Sequence, residues 1–154
     1  MSSLTHSESI VISASPDEVY AVVSDVTRTG EWSPVCNACW WDKGDGPRIG
    51  AFFTGRNVTP ERTWETRSEV VIAEPGKAFG WSVAEGRVLW TYSMQPVPAG
   101  TELTESWEFT PTGQAFFAQK MGERAPAEIE SRRQAALSGI PVTLAAIKRI
   151  IEQG

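Results

Sequence analysis

Glu105 is the residue of this chain best placed to do chemistry. It lies in the run Leu103, Glu105, Trp107, Phe109, where the other alternate positions are large and apolar. A carboxylate at an apolar position must be neutralised or paired, because burying it alone is costly. Such a group can anchor a hydroxyl or amine of a ligand, or serve as a general acid or base with a raised pKa. It can equally form a structural pair with an arginine or a tyrosine, and Tyr92 is one such partner. A strand bulge that turned Glu105 outward would favour the structural role.

A second group with chemical potential is Cys36-Asn37-Ala38-Cys39. Thioredoxin-like chemistry needs the first cysteine at a helix N-terminus in a βαβ setting, and no such setting surrounds this pair. On a regular strand, residues three apart face opposite sides and lie too far apart for a disulfide. A zinc site needs about four ligands, and the single histidine is His6. The pair therefore reads as two packed or half-buried thiols, with no metal and no cofactor implied. Arg56, Asn57 and Arg62 flank a Val58-Thr59-Pro60 loop and read as solvated loop residues rather than as a gate or an acid-binding group. A Ser/His/Asp triad finds no support in one N-terminal histidine. The Gly44 and Gly46 turn lacks the Lys-Ser/Thr of a phosphate loop.

Three strands must carry the Glu105 region. Phe79, Trp81 and Val83 alternate with small residues; Val88, Trp90, Tyr92 and Met94 alternate again; Leu103 to Phe109 form the third run. Strand side chains change face with period 2, so each run puts its large groups on one side. Glu85-Gly86 and Pro96 to Gly100 are short connections, so neighbouring runs should pair antiparallel. The product is a concave aromatic wall with one carboxylate, suited to a pocket for an apolar small molecule and also to an ordinary core. The reading favours a cavity lined by Phe79, Trp81, Trp90, Tyr92 and Trp107.

Upstream, His6 to Ala14 reads as a strand with Ile10 and Ile12 on one face. Ser15, Pro16 and Glu18 then spell a capping box with proline in the first turn, and Val19, Val22, Val23 and Val26 give the helix an apolar side. A second short helical piece leads to a turn at Gly30 to Pro34. Val35 to Trp41 and Ile49 to Asn57 read as strands joined through Gly44, Asp45, Gly46 and Pro47. Their faces stay unassigned, since each carries apolar residues on both sides. Adjacent Trp40 and Trp41 must face opposite sides; the outer one reads as covered by a loop, the alternative being a homodimer or partner contact. Arg62 to Ala73 is a longer strand whose even positions, including Trp64, Thr66, Ser68, Val70 and Ile72, face inward. Gln114 to Met121 fits either a short helix or an ordered loop. Ala127 to Gln153 reads as a long helix with a stripe of Leu137, Ile140, Leu144, Ile147 and Ile151, and a kink is expected at Pro141.

The chain has 154 residues, 41% of them hydrophobic and 21% charged, with net charge −5. This fits one globular domain over 1–154 with a sizeable core. The acidic balance and the absence of a Lys/Arg cluster argue against nucleic acid or an anionic membrane as partner. No apolar stretch approaches the length of a membrane span. The N-terminus lacks the pattern of a signal peptide, and two cysteines do not make a disulfide framework. The expected location is the cytoplasm.

The order strand, two short helices, six strands, long helix predicts an α+β fold. A curved antiparallel sheet of about seven strands would wrap around the C-terminal helix. The chain resembles the START-like helix-grip superfamily, in its polyketide cyclase/dehydrase-like branch. The residues carrying the resemblance are Ser15 to Tyr20, Asp25 through Gly30 to Pro34, Pro75 to Trp81, Trp90-Thr91-Tyr92 and Gly100 to Glu105. The resemblance spans nearly the whole chain and implies an elongated cavity between sheet and helix that holds a hydrophobic ligand. Fold alone does not fix function.

Three functions follow as expectations. The first is binding of a lipid, sterol-like or polyketide-like molecule by Trp64, Phe79, Trp81, Trp90, Tyr92, Glu105, Trp107, Ile140 and Leu144. The second is a polyketide cyclase or dehydratase, with Glu105 as acid or base and Tyr92 as proton donor. The third is a protein-interaction module with a filled core. Binding ranks first because the inward face offers few polar groups: Glu105, Tyr92, Thr66 and Ser68.

Overall fold

Local sequence starts the helices where it should. Ser15 Oγ accepts from the Glu18 N–H at 3.2 Å, and the Glu18 carboxylate accepts from the Ser15 N–H at 3.3 Å. The capping box thus closes on both sides, with Pro16 opening the helix. Thr110 and Pro111 repeat the cap and the first-turn proline, without the reciprocal bond: Thr110 Oγ1 accepts from the Gly113 N–H at 3.1 Å. That cap settles 114–121 as part of a helix.

The computed structural model describes residues 2–43 and 45–154. In chain order the elements are β1 (Leu4–Ile12), α1 (Pro16–Val23), a 3-10 helix (Val26–Glu31), β2 (Cys36–Trp41), β3 (Phe52–Val58), β4 (Thr63–Glu74), β5 (Ala78–Val83), β6 (Val88–Val97) and β7 (Gly100–Phe109). They are followed by α2 (Pro111–Met121), a 3-10 turn (Gly122–Arg124) and α3 (Ala125–Gln153). The seven strands form one antiparallel sheet in the order β1-β7-β6-β5-β4-β3-β2. The architecture is the expected α+β helix-grip. The link from β2 to β3 includes the predicted turn but runs on to Ala51, so 49–51, expected as strand, belong to the link; Gly44, assigned to that turn, lies outside the described residues.

Register sets which side chains share the concave face. Trp90 stands opposite Trp107, Tyr92 opposite Glu105, and Val88 opposite Phe109. Phe79 stands opposite Tyr92 and Trp81 opposite Trp90. α3 lies over β1 and β7, α1 approaches β5, β6 and β7, and the 3-10 helix Val26–Glu31 rests on β2. Ile12, Phe79, Leu103, Phe109, Ile140 and Ile147 are fully enclosed, and Leu144 nearly so. α3 runs unbroken through Pro141.

Two β-bulges correct the sequence reading. In β4 the register slips between Val70 and Ile72. The extra residue exchanges the faces beyond it, so Ala73 joins the concave core opposite Phe79 while Ile72 pairs with Gly80 on the convex side. Ile72 therefore does not face inward. In β2 the slip falls between Cys36 and Ala38. Cys36 then stands opposite Asn57 and Cys39 opposite Gly55, so both thiols occupy the concave side. Strict alternation fails here because Asn37 is left out of the ladder. The same register assigns the neighbouring faces: Trp41 and Phe53 point inward, and Trp40 outward beneath the Arg56 guanidinium, 5.5 Å from its ring centre.

A further difference concerns hydropathy. Within Pro111–Gln153 a stretch of helix reaches a mean hydropathy of 1.2, enough by length and composition to cross a membrane. In the fold this region supplies the apolar cover of the sheet through Ile140, Leu144 and Ile147.

Candidate functional site

Glu105 lies on the concave face with 5% of its surface exposed. Strand β7 carries it there, in unbroken register with both neighbours. On one side stands Tyr92, its register partner on β6, with Trp32 beside the Tyr92 hydroxyl. On the other side stands Glu8 of β1. Glu8 in turn accepts from or pairs with His6 Nε2 at 2.8 Å. Among the described residues, Glu105 Oε1 is a buried polar atom with no hydrogen-bond partner.

These surroundings determine the proton affinity of the site. Burial, with the nearby Glu8 charge adding to it, pushes the Glu105 carboxyl up to about 8, while the Tyr92 contact pulls the other way. At neutral pH the carboxyl is therefore mostly protonated, a neutral O–H that can donate as well as accept. Burial raises the Tyr92 hydroxyl well above its ordinary value, and the Glu105 charge adds to that rise. The group can hold a ligand hydroxyl or carbonyl, or deliver a proton to one.

Around this polar point the aromatic wall is continuous. Trp41 meets Phe53 edge-on at 5.6 Å, and Phe53 meets Trp81 at 5.9 Å. Trp81 lies 5.7 Å from Tyr92 and stacks at 6.4 Å on Trp90. Tyr20 of α1 closes on Phe79 edge-on at 6.3 Å. Phe79, Tyr92 and Trp107 are buried, whereas Trp41, Trp81 and Trp90 are half-buried. Two open surface recesses lie elsewhere: one of about 400 Å³ beside Arg87 and Phe116, and one of about 270 Å³ beside Ile10 and Lys148. Neither borders the wall.

The structure thus brings Phe79, Trp81, Trp90, Tyr92, Glu105 and Trp107 onto one surface, with Ile140 and Leu144 in the core that covers it. Trp64 shares the face but lies before the point where β4 meets β5 at Ser68, and its ring carries the Arg62 guanidinium at 4.1 Å. It stands apart from Glu105. Of the flanking polar residues, Arg56 turns outward toward Glu65 at 3.7 Å, and Asn57 turns inward, its amide donating to Thr66 Oγ1 at 3.2 Å. Sequence reasoning missed His6, Glu8 and Trp32. The first two were legible, because they sit at the same parity as Ile10 and Ile12. Trp32 was not, since a residue at a helix end has no periodicity to place it.

Residues 3–140 match the family model described as polyketide cyclase / dehydrase and lipid transport. The solution structure of a Polyketide_cyc-like protein, Cgl2372 from Corynebacterium glutamicum, is 65% identical over 97% of this chain and 92% of its own, with a TM-score of 0.72. The di-domain ARO/CYC StfQ from the steffimycin biosynthetic pathway superposes with a TM-score of 0.74 at 16% identity. That match covers 99% of this chain and 51% of StfQ, so the chain spans about half of that protein. Protein CV1439 from Chromobacterium violaceum has a TM-score of 0.68 at 18% identity, over 96% of this chain and 97% of its own. Both of these share the fold. No curated protein matches the chain by sequence.

Proposed function

The chain belongs to the polyketide cyclase / dehydrase and lipid transport family, and from that premise we propose that it binds a hydrophobic small molecule between the sheet and α3. The ligand class is lipid, sterol-like or polyketide-like, and the chain acts as one START-like domain over 1–154. One observation carries this reading: Glu105 presents an unpartnered, buried carboxyl oxygen on an aromatic surface. A buried polar atom without a partner is rare and costs roughly 1–3 kcal/mol. A ligand hydroxyl or carbonyl would remove that cost. Trp41, Trp81 and Trp90 form the side from which it enters, and movement of the Trp81 and Trp90 rings makes room for it. Burial of the ligand's apolar surface supplies the affinity.

Catalysis is the second reading, favoured by one feature: Glu105, raised to about 8, stands beside the Tyr92 hydroxyl. A carboxyl that holds its proton near neutral pH can act as general acid in a cyclisation or dehydration, with Tyr92 positioning the same oxygen.

Native mass spectrometry of the gently purified protein, before and after incubation with fatty acids, sterols and polyaromatics, tests both readings. An adduct that is lost on denaturation supports binding. A bare mass with every compound overturns it and favours an interaction module. Glu105→Gln then separates the two: loss of turnover with retained binding establishes the enzyme, and unchanged binding with no turnover in either protein establishes the carrier.

A further inference from the structure

The bulge in β2 assembles a group that the ligand site does not use. Asn37 is the extra residue, so the three steps from Cys36 to Cys39 span only the two partner positions from Asn57 to Gly55. At about 3.3 Å per residue the two Cα atoms lie roughly 6.6 Å apart. That falls within the separation a disulfide can bridge. A regular strand would place the same residues on opposite faces. Two glycines make the arrangement fit. A Cβ on Gly30 would lie 2.6 Å from the Asn37 carbonyl oxygen, so the absence of one lets the 3-10 helix Val26–Glu31 press on the bulge. A Cβ on Gly55 would lie 3.1 Å from Cys36 Sγ and 3.9 Å from Cys39 Sγ. Both sulfurs thus gather over the one spot on β3 that carries no side chain.

We propose that Cys36 and Cys39 form a reversible dithiol–disulfide pair that reduces a peroxide, with Cys36 as the attacking sulfur and Cys39 as the resolving one. The two thiols differ in the way these roles require. Cys39 is buried and Cys36 is half-buried on the edge strand β2, where a small oxidant can reach it. The neighbouring Cys39 thiol holds Cys36 down to about 7 despite its burial, and the Cys36 thiol donates to the Ala38 carbonyl at 3.3 Å. The same pairing, together with burial, pushes the Cys39 thiol well up. Cys36 is therefore the sulfur that is ionised near neutral pH.

The chemistry balances in two steps. The Cys36 thiolate attacks one oxygen of a hydroperoxide, the O–O bond breaks, and the leaving oxygen takes a proton to become an alcohol, or water from hydrogen peroxide. Cys36 is then a sulfenic acid. Cys39 sulfur attacks Cys36 sulfur, the S–S bond forms, the S–O bond breaks, and hydroxide departs with the Cys39 proton as water. The two thiols lose two electrons and one peroxide gains them. Two equivalents of a small thiol reverse the step.

The test uses the reduced wild-type chain and hydrogen peroxide, and it is independent of the ligand site. Alkylation followed by peptide mapping should show Cys36 reacting about tenfold faster than Cys39. Peroxide should then remove the mass of two hydrogens from the intact monomer and block alkylation of both cysteines, and dithiothreitol should restore both. Cys39→Ser should stop with one added oxygen on Cys36, trapped by dimedone. Retention of two free thiols by peroxide-treated wild type overturns the proposal. So does a disulfide found only between chains, or faster alkylation of Cys39. The wild-type measurements decide the matter even if the variant fails to fold.

Discussion

The two halves of the concave face are built from the same kinds of residue and finished differently. Toward β1 and β7 the face lies under α3, and Ile12, Leu103, Phe109, Ile140 and Ile147 are sealed. Toward β2 and β5 the cover is the 3-10 helix Val26–Glu31 and α1, and Trp41, Trp81 and Trp90 keep part of their surface open. Glu105 and Tyr92 lie at the seam, with Tyr92 touching Trp81 on one side and Glu105 facing Glu8 on the other. Aromatic content alone therefore does not mark a binding surface. The helix above it decides whether an aromatic ring serves stability or stays available to a ligand.

Substitutions in the two halves should separate these roles. Phe109→Ala removes a fully enclosed ring. It should cost about 3–5 kcal/mol in denaturant unfolding and leave ligand affinity of the folded protein within a few-fold. Equal losses of stability and affinity would break the distinction.

Glu105→Gln probes the seam. The folded carboxyl titrates at about 8 against an ordinary 4.5. Below 4.5 both folded and unfolded chains are protonated, and the group takes nothing from stability. Between 4.5 and 8 the unfolded chain ionises while the folded one does not, so stability falls as pH rises, and the loss levels off above 8. A neutral glutamine removes this penalty. The variant should gain about 4–5 kcal/mol at pH 8 and above, and almost nothing at pH 4. Thermal unfolding across that range checks it, and a pH-independent difference would show that Glu105 does not titrate as a buried acid.

Trp81→Ala probes the open half. It should cost about 2 kcal/mol of stability, less than a sealed ring, and lower affinity for any bound polyaromatic compound by about tenfold or more. Tryptophan fluorescence titration measures the second effect. The convex face provides the baseline: Arg67→Ala removes an exposed ion pair in which Arg67 Nε donates to Asp42 at 2.7 Å. It should change stability by about 0–1 kcal/mol, diminishing as salt is added, and leave binding untouched.

Several of these features were legible in the residues. The Ser15-Pro16-Glu18 cap, the three alternating aromatic runs and the stripe on the last helix each rest on interactions within a few residues of one another, and each formed where expected. The inward placement of Glu105 followed from the same alternation. The exceptions were Ile72 and the cysteine pair. Both lie beyond a bulge, and a bulge arises from how one strand meets its neighbour, so no count along a single strand can reveal it. The faces of β2 and β3 stayed open for a related reason, since apolar residues on both sides give no preference until a partner strand sets the register.

The amino-acid sequence by itself determined the order of elements, the helix starts, the wall of aromatics and the carboxylate set within it, because periodicity and capping are local. Tertiary structure decided that Glu8 faces Glu105, that one carboxyl oxygen is left without a partner, and that Cys36 and Cys39 share a face. Those facts depend on which distant strands pair, in what register and under which helix, and only the packed chain brings such residues together.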